Sequence, residues 1–332
     1  MLSIAINGFG RIGRTLLRTI LMDSTTNIKV SAINIGQTNP EFVAHMFKYD
    51  TIMGTYPKEV SINNNILTVD NYKIKIITET DPAKINWKNL EVELVVDCTG
   101  QFTDGKDAIQ HINSGAKYVL ISAPAQNEDI TIIQGVNDHL FDKHKHKIIS
   151  IGSCTSNAFL PTLKVLHDEF KIISGIMTTT HAYTNTQPLL DVERDDLRKA
   201  RAAALNIIPT STGAGKLIGK IIPELKDVIG TCAIRVPVGI VSLIDFSFTC
   251  DKPISVDLIN SAFKKSSAGN LKNILAITMQ PLVSSDFKEN SNSVIIDGLL
   301  TQLAGNMAKV FGWYDNEWGY SCRLRDFVKT II

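Results

Sequence analysis

The stretch Ile6–Gly13, INGFGRIG, has three glycines in the spacing G-x-G-x-x-G. The apolar segment LSIAIN precedes it, and RTLLRTILM follows with apolar residues at helical spacing. In this strand–turn–helix context, Gly8 permits a tight turn, Gly10 lets a pyrophosphate approach the backbone, and Gly13 allows close helix–strand packing. The free N–H groups at the helix start would bind the anion. The pattern therefore predicts a dinucleotide-binding turn, with a purely structural glycine turn as the alternative.

The end of the second predicted strand, IKVSAIN, lacks the carboxylate that usually selects NAD. In dinucleotide-binding domains an Asp or Glu at this position binds the ribose hydroxyls and would repel the 2′-phosphate of NADP. This chain has Asn34, Ile35 and Gly36 there, and no carboxylate follows before Glu41. Gln37 could donate a hydrogen bond to a 2′-phosphate. Because the main obstacle to NADP is missing, we expect the cofactor to be NAD or NADP.

The order of apolar patterns predicts two domains. A chain of 332 residues exceeds the roughly 250–300 residues at which a single core usually divides. In the first half, strands alternate with helices, which predicts a Rossmann-type, doubly wound parallel sheet, with a hairpin at 65–79. The second half predicts an α+β catalytic domain with a largely antiparallel sheet. We place the NAD(P)-binding domain at 1–152 and the catalytic domain at 153–318, and expect the C-terminal helix, about 319–332, to pack back on the first domain.

The composition disfavours several classes of function. Lys and Arg number 34 and Asp and Glu 33, so the net charge of +1 gives no general attraction to nucleic acid or anionic membrane. No apolar run approaches the ~20 residues of a membrane span, and the start MLSIAINGFG lacks the basic region of a signal peptide. The five cysteines include no CxxC pair. We therefore expect a cytoplasmic protein with reduced thiols, no metal site, no membrane contact and no dedicated nucleic-acid site.

Cys154 lies where a strand pattern gives way to a helical one, in IISIGSCTSNAF at 148–159. A thiol at a helix N-terminus has a lowered pKa, and a paired imidazole would lower it further. Pro161 restricts this helix, because a proline must lie in the first turn or kink the helix. From the pattern alone, Cys154 is either a nucleophile or a buried, unreactive thiol.

His181 is the best imidazole partner for Cys154 that the pattern offers. It lies in MTTTHAYTNTQ at 177–187, where a β-branched strand ends and a polar loop begins. His45 falls within a helical pattern, where we expect it to pack. The remaining histidines occupy polar or charged stretches and are expected to be solvated: His111, His139, His144, His146 and His167.

Seven motifs are distributed from the first strand to the last helix: INGFGRIGR, KYD, ISAPA, GSCTSN, THAYTNTQ, ARAAALNIIPTSTGAGK and GWYDNEWGYS. Together they resemble glyceraldehyde-3-phosphate dehydrogenase of the phosphorylating type. The resemblance implies that Cys154 attacks the aldehyde of glyceraldehyde 3-phosphate and that His181 is the general base. It also implies oxidation by NAD(P) to a cysteine thioester, which inorganic phosphate converts to 1,3-bisphosphoglycerate in glycolysis or gluconeogenesis. The family is tetrameric, so a homotetramer is expected.

The same resemblance assigns cofactor contacts by motif position. They belong to the glycine turn, the second strand end and two later motifs: Gly8, Phe9, Gly10, Arg11, Ile12, Gly13, Asn34, Ile35, Ser122, Asn316 and Tyr320. Asn316 would hold the nicotinamide carboxamide and so determine which face of the ring is presented.

Two phosphate pockets are also implied. Thr184 and Arg235 resemble the pocket for the substrate phosphate. The pocket for the attacking phosphate would comprise Ser153, Thr155, Thr212 and Gly213, with Arg201 near both. Guanidinium, hydroxyl and N–H groups of this kind suit phosphate.

Some positions depart from the family pattern. Thr186 stands where the family commonly has Asp, and the segment VPVGIVS at 236–242 differs from the usual family sequence. Glu193 would repel a 2′-phosphate if it lay close.

Alternative functions stay open. The nearest alternative is erythrose-4-phosphate dehydrogenase, which hydrolyses its thioester. A cofactor-binding or RNA-binding protein with a vestigial site is a second alternative. A cofactor-free cysteine acyltransferase is disfavoured by the glycine turn.

Overall fold

The structure, a computed structural model, describes residues Met1–Ile331 and divides them into two units. Ile332, the last position of the predicted C-terminal helix, lies outside the described residues. Within Met1–Ile331, no helix is both long enough and apolar enough to cross a membrane. The first unit comprises Met1–Ile132, His139–Gly152 and the chain from Ser321 onward, and the second comprises Ile133–Asp138 and Ser153–Tyr320.

The first unit contains a nine-stranded, mostly parallel sheet. Its strands are β1 (Leu2–Asn7), β2 (Ile28–Asn34), β3 (Val60–Asn63), β4 (Ile66–Val69), β5 (Tyr72–Ile77), β6 (Leu94–Asp97), β7 (Tyr118–Ile121), β8 (Ile130–Thr131) and β9 (Ile148–Ser150). Their order is β3-β4-β5-β2-β1-β6-β7-β9-β8. Pairing is parallel from β5 to β8 and antiparallel within β3-β4-β5. The predicted Rossmann-type sheet is confirmed, and β4–β5 is the hairpin predicted at 65–79.

Three helices connect these strands: α1 (Arg11–Met22), α2 (Pro40–Lys48) and α3 (Gly105–Asn113). β1 and β6 are buried almost throughout, as expected when a parallel sheet is covered on both faces. The register pairs Asn7 with Asn34 and with Asp97. Three polar residues therefore stand side by side at the carboxyl edge, where open α/β sheets bind ligands.

His111 in α3 is fully buried, so the expectation that it is solvated is wrong. The charged residues near it made the segment look polar. Helical geometry puts residues three apart on one face, and Ala108 and His111 share the buried face of α3. The His111 ring packs against Trp87, with ring centroids 5.8 Å apart.

The second unit contains an eight-stranded, mostly antiparallel sheet. Its strands are β10 (Ile172–Ala182), β11 (Ile208–Thr210), β12 (Ile229–Val236), β13 (Ser242–Cys250), β14 (Leu275–Thr278), β15 (Val294–Asp297), β16 (Gln302–Ala304) and β17 (Met307–Tyr314). The order is β11-β12-β10-β13-β17-β15-β14, with β16 paired to β17. β10 pairs in parallel with β12 and β14 with β15, and the other pairs are antiparallel. The predicted largely antiparallel sheet is confirmed.

Helix α4 (Cys154–Phe170) packs on this sheet and contacts β10, β13, β15 and β17. The unit also contains α5 (Ala214–Ile221) and α6 (Val256–Ala268). Alternate residues of β13 face the core, where Phe246 meets Phe159 of α4 edge-on, with ring centroids 5.0 Å apart. Pro161 lies inside α4 and not in its first turn. This packing holds the first turn of α4 beside the end of β10.

The last helix, α7 (Trp318–Ile331), belongs to the first unit from Ser321 onward. The Lys329 ammonium lies 2.6 Å from a carboxylate oxygen of Asp23, just after α1. The Phe327 ring meets Phe141 edge-on at 5.1 Å between centroids. These contacts attach the end of the chain to the first unit.

Candidate active site

Cys154 is the first residue of α4, and a reciprocal cap holds the turn that contains it. The Ser153 hydroxyl accepts a hydrogen bond from the Ser156 N–H at 3.1 Å, and the Ser156 hydroxyl accepts one from the Ser153 N–H at 2.7 Å. Such a capping box satisfies N–H groups that the helix itself cannot pair. The sequence predicted this position for the thiol.

The structure brings Cys154 and His181 together. The Cys154 Sγ lies 3.5 Å from His181 Nε2, within hydrogen-bonding reach for sulfur. His181 lies near the end of β10 and is 4% exposed, whereas Cys154 is partly exposed. A nucleophile beside a base in this geometry is the arrangement that covalent catalysis uses.

Arg235 joins the pair from the neighbouring strand, because the parallel register of β10 and β12 sets it opposite His181. Its Nη1 lies 2.7 Å from His181 Nδ1 and donates to the Ala182 carbonyl at 3.0 Å. His181 Nδ1 is itself 2.6 Å from that carbonyl. The Ala182 carbonyl, which only accepts, pairs with a protonated Nδ1, whereas the Arg235 guanidinium, which only donates, pairs with an unprotonated Nδ1. The tautomer with its proton on Nδ1 is the one that leaves the lone pair of Nε2 toward the sulfur.

Burial favours the neutral form of both members of the pair, and the charge of Arg235 adds to this effect only at His181. Burial raises the pKa of the Cys154 thiol, although Arg235 and the hydroxyl and N–H of Thr155 act in the opposite direction. Burial, helped by the charge of Arg235, lowers the pKa of His181 to about 3. The lowered thiol pKa predicted from the helix N-terminus is therefore wrong in direction, because desolvation outweighs it. A neutral imidazole in this position can accept the proton of the thiol.

Tyr314 connects the two elements that carry the pair. Its buried hydroxyl lies 3.0 Å from the hydroxyl of Thr155 on α4 and 2.8 Å from that of Thr179 on β10. The ring meets His181 edge-on at 5.9 Å between centroids. Burial raises the pKa of Tyr314 well above its usual value, so it stays protonated. Sequence reasoning missed Tyr314 and Thr179. The alternation of β17, which buries Tyr314, is a signal that could have found the tyrosine.

Two successive hydrogen bonds connect the backbone beside His181 to Asn316. The Ala182 N–H donates to the Ser242 hydroxyl at 3.0 Å, and that hydroxyl donates to Asn316 Oδ1 at 3.0 Å. Asn316 is 5% exposed and Tyr320 4% exposed. Ser242, the last residue of the altered VPVGIVS segment and the first of β13, was also missed by sequence reasoning.

Three residues predicted to bind phosphate, Thr184, Thr212 and Gly213, lie in a loop and at a helix start. Thr212 and Gly213 immediately precede α5, with Gly213 as its N-cap. The hydroxyls of Thr184 and Thr186 lie 2.9 Å apart. Thr186 thus keeps a polar contact at the position where the family commonly has Asp.

Arg201 is held within its own loop. Its Nε donates to an Asp191 carboxylate oxygen at 2.6 Å, and both side chains are exposed. Two of the residues predicted to bind phosphate have contacts at the thiol–imidazole pair or beside it. Arg235 contacts His181 directly, and Thr155 contacts Tyr314. Arg201 has no such contact within Met1–Ile331.

A cavity of about 540 Å³ opens at the carboxyl edge of the first sheet. Its lining comprises Asn7, Gly8, Gly10, Asn34, Ile35, Gly36, Gln37, Glu79, Thr80, Cys98, Thr99, Gln101 and Phe102. At Gly8, with φ +91°, a Cβ would lie 2.8 Å from the Thr99 nitrogen, and at Gly13 it would lie 2.2 Å from the Gly8 carbonyl oxygen. At Gly10 a Cβ would meet nothing within 4 Å. The turn therefore forms the close-packed cradle, open at Gly10, that a dinucleotide phosphate requires.

The other cofactor residues predicted in this unit lie at or near the turn. Phe9 stacks on Phe47 at 6.2 Å between centroids, and the Arg11 guanidinium forms an ion pair with Asp50. Ile12 is the second residue of α1. The Ser122 N–H donates to the Asp97 carbonyl at 2.9 Å.

The cavity lining includes a carboxylate that sequence reasoning missed. Glu79 follows β5, a strand that pairs with β2, so it reaches the same edge as Asn34. Its Oε1 accepts hydrogen bonds from the N–H groups of Thr80 and Asp81 at 2.8 and 3.0 Å. The pairing of β2 with a distant strand, which local patterns do not encode, explains the omission.

A nucleotide cradle in one unit and a thiol–imidazole pair in the other are the components of a dehydrogenase that oxidises aldehydes through a cysteine. The family model "Glyceraldehyde 3-phosphate dehydrogenase, NAD binding domain" matches residues 2–105, and the corresponding C-terminal domain model matches residues 153–316. The chain belongs to the glyceraldehyde-3-phosphate dehydrogenase family. Its members are NAD-dependent oxidoreductases acting on an aldehyde group.

Relatives support this assignment over nearly the whole chain. The chain is 47% identical over 327 residues to glyceraldehyde-3-phosphate dehydrogenase 1 of Bacillus cereus, which covers 98% of this chain and 97% of the relative. It is 46% identical over 329 residues to the enzyme of Geobacillus stearothermophilus, covering 99% and 97%. It is 47% identical over 329 residues to the enzyme of Priestia megaterium, with the same coverage.

Proposed function

We propose that this chain catalyses the phosphorylating oxidation of D-glyceraldehyde 3-phosphate to 1,3-bisphosphoglycerate through a cysteine thioester, in glycolysis and gluconeogenesis. The observation that carries the proposal is the 3.5 Å separation of Cys154 Sγ and His181 Nε2 at the start of α4. The comparisons give no support to the alternative, erythrose-4-phosphate dehydrogenase.

The first step is addition of the thiol to the aldehyde. His181 Nε2 accepts the thiol proton as Cys154 Sγ bonds to the carbonyl carbon, and the C=O π electrons move to oxygen. The imidazolium then donates its proton to that oxygen, which gives a thiohemiacetal. The N–H of Cys154, at the start of α4, is available to stabilise the negative oxygen before it is protonated.

Oxidation and phosphorolysis follow on the same cysteine. NAD, when bound, supplies the hydride acceptor. His181 removes the hydroxyl proton as the hydride leaves the carbon, and the product is a thioester of Cys154. A phosphate oxygen then attacks the acyl carbon and the carbon–sulfur bond breaks. The thiolate leaves and takes back its proton from the imidazolium.

The phosphate groups are assigned to two sets of residues. Arg235 and Thr184 bind the phosphate of the substrate. The set for the attacking phosphate comprises Ser153, Thr155, Thr212 and Gly213, with Arg201 near both. In support, Thr212 and Gly213 stand at the N-terminus of α5, where the helix dipole favours an anion.

The cofactor assignments are likewise proposals. The glycine turn, Asn34 and Ile35 contact the adenosine and pyrophosphate, while Ser122, Asn316 and Tyr320 belong to the nicotinamide side. The enzyme accepts NADP as well as NAD. In support, Ile35 carries no charge to repel a 2′-phosphate, and Gln37 lines the same cavity.

Residues 1–152 with the C-terminal helix form the cofactor domain, and residues 153–318 form the catalytic domain, in a cytoplasmic homotetramer. The assembly is supported by a run of apolar side chains exposed in one loop of the second unit: Leu189, Leu190, Leu197, Leu205 and Ile207, with exposures of 71–85%. Large apolar side chains concentrated in one exposed loop are typical of a surface that another protein copy covers.

The decisive experiment measures initial rates of cofactor reduction on glyceraldehyde 3-phosphate, with NAD and with NADP, while phosphate is varied. We expect activity with both cofactors and a saturable requirement for phosphate. Phosphate-independent turnover would indicate hydrolysis of the thioester. An NADP rate at background would remove the dual-cofactor proposal.

Cysteine variants test the nucleophile. Cys154→Ala should abolish turnover, because no thioester can form, while NAD binding measured by calorimetry stays unchanged. Cys232→Ala is the matched control, since Cys232 is an exposed thiol of the same unit, and it should retain wild-type turnover. Retained turnover in Cys154→Ala would contradict the mechanism. Inactivity of the unmodified chain, with the cofactor bound, would favour a vestigial site.

A further inference from the structure

A chain of buried polar side chains runs behind the cavity at the carboxyl edge of the first sheet. Asn7 Nδ2 donates to Asp97 Oδ2 at 2.7 Å, and Asn34 Nδ2 donates to Asn7 Oδ1 at 2.7 Å. Asn34 also bonds both backbone groups of Glu79, donating to its carbonyl at 2.8 Å and accepting from its N–H at 3.0 Å. These side chains tie together the segments that follow β1, β2, β5 and β6.

Asp97 extends this chain to the wall of the cavity. Its Oδ1 accepts hydrogen bonds from the N–H and hydroxyl of Thr99 at 3.0 and 2.7 Å. Thr99 lines the cavity and is also the residue that a Cβ at Gly8 would strike. The position of the Asp97 carboxylate therefore fixes one side of the glycine cradle.

His111 lies at the inner end of the chain. The Trp87 indole N–H donates to His111 Nδ1 at 3.1 Å, and both side chains are fully buried. Because an indole only donates, Nδ1 is an acceptor and the proton of the neutral ring is on Nε2. That nitrogen lies 3.4 Å from Asp97 Oδ2. The ring also meets Phe102, a cavity-lining residue, edge-on at 6.1 Å between centroids.

We propose that His111 is a positioning residue for the cofactor, acting through Asp97 and Phe102 on the wall of the nucleotide cavity. The proposal rests on the proposed binding of the cofactor in that cavity. His111 itself does not line the cavity, so its effect is on preorganisation. Nε2 lies 3.4 Å from the Asp97 carboxylate and 3.5 Å from the Asn7 amide nitrogen, and the ring packs edge-on against Phe102.

The physical reason is the cost of ordering a binding site. A buried carboxylate that loses a facing donor is less well satisfied, and it can shift to find another partner. A shift of Asp97 moves Thr99 and Asn7, so the cradle must be reordered when the cofactor binds. That cost reduces affinity without affecting the chemical step.

Two substitutions separate the two sides of the imidazole. In His111→Asn the amide can still accept from Trp87 but no longer reaches Asp97. In His111→Gln the longer amide keeps a donor near the carboxylate. We expect His111→Asn to raise the Kd and KM for NAD about fivefold, corresponding to roughly one hydrogen bond. His111→Gln should restore most of the affinity. The KM for glyceraldehyde 3-phosphate and kcat at saturating NAD should stay within about twofold of wild type.

Two controls make the outcome unambiguous. Leu67→Ala creates a void at a buried position of β4, outside the polar chain, and should lower the melting temperature without changing the KM for NAD. Gly10→Val tests the cavity itself, because a Cβ there meets no protein atom within 4 Å and the side chain would occupy the phosphate approach.

The outcomes distinguish the proposed binding of the cofactor in the cavity from the proposed role of His111. If Gly10→Val leaves NAD affinity unchanged, the cofactor does not bind in the cavity and the proposed function needs revision. If Gly10→Val weakens binding but His111→Asn does not, only the role of His111 is overturned. Equal effects of His111→Asn, His111→Gln and Leu67→Ala would indicate a purely structural role and would also overturn it.

Discussion

Arg235 acts on both members of the thiol–imidazole pair. Its guanidinium lies 2.7 Å from His181 Nδ1, and its charge lowers the pKa of the Cys154 thiol while it also lowers that of His181. The two effects have opposite chemical meaning. A nearby cation favours the thiolate over the thiol, and it disfavours the imidazolium.

Replacement of Arg235 should shift the reactivity of the thiol toward alkaline pH. In Arg235→Leu the thiol pKa, already raised by burial, loses an opposing influence and rises further. Less thiolate then exists at neutral pH, so iodoacetamide should modify Cys154 several-fold more slowly at pH 7. The measurement is the alkylation rate of the free enzyme against pH, which avoids any contribution from substrate phosphate.

Arg235→Lys is the matched control for that experiment. It keeps the positive charge but not the planar guanidinium, so its profile should stay close to wild type. An Arg235→Leu profile that coincides with wild type, or moves to lower pH, would show that the charge does not govern the thiol.

The first turn of α4 depends on the reciprocal hydrogen bonds of Ser153 and Ser156. Helix caps of this type typically contribute about 1 kcal/mol. Ser156→Ala removes one of the two bonds and leaves the Ser153 N–H without that partner. We expect the free energy of unfolding in urea to fall by about 1 kcal/mol. Turnover should fall too, because the same turn holds Cys154.

Ser261→Ala, at an exposed position within α6, is the control for the capping variant. Alanine has the higher helix propensity, so this change should be neutral or slightly stabilising. Equal stability of the two variants would mean that the capping bonds contribute nothing measurable.

The exposed apolar loop of the second unit predicts that the chain forms an oligomer in solution. If Leu189 and Leu205 are covered by another copy, a charge at these positions would be buried at high cost. The double variant Leu189→Glu/Leu205→Glu should therefore have a smaller mass by light scattering than the wild-type chain, which we propose to be a tetramer. Leu140→Glu, at an exposed leucine of the first unit, should leave the mass unchanged. A wild-type chain of monomer mass would refute the assembly.

Much of the architecture could be predicted because local patterns encode it. The glycine spacing at Ile6–Gly13 and the alternation of strands and helices gave the first sheet, and the β-branched runs gave the second. The exposure of single side chains was harder to predict from the sequence. His111 was expected in solvent because of its charged neighbours, although its helical spacing from Ala108 placed it inside.

Local pattern was thus enough to establish the two sheet types, the nucleotide cradle and Cys154 and His181 as the candidates for chemistry. Contacts between distant segments supplied the rest. Arg235 reaches His181 across 54 residues through the parallel register of β10 and β12, and Tyr314 reaches Thr155 across 159. The directions of the pKa shifts of Cys154 and His181 also depended on the tertiary structure, because desolvation depends on which atoms surround a group. Neighbours along the chain do not determine those atoms, whereas the packing of α4 against its sheet does.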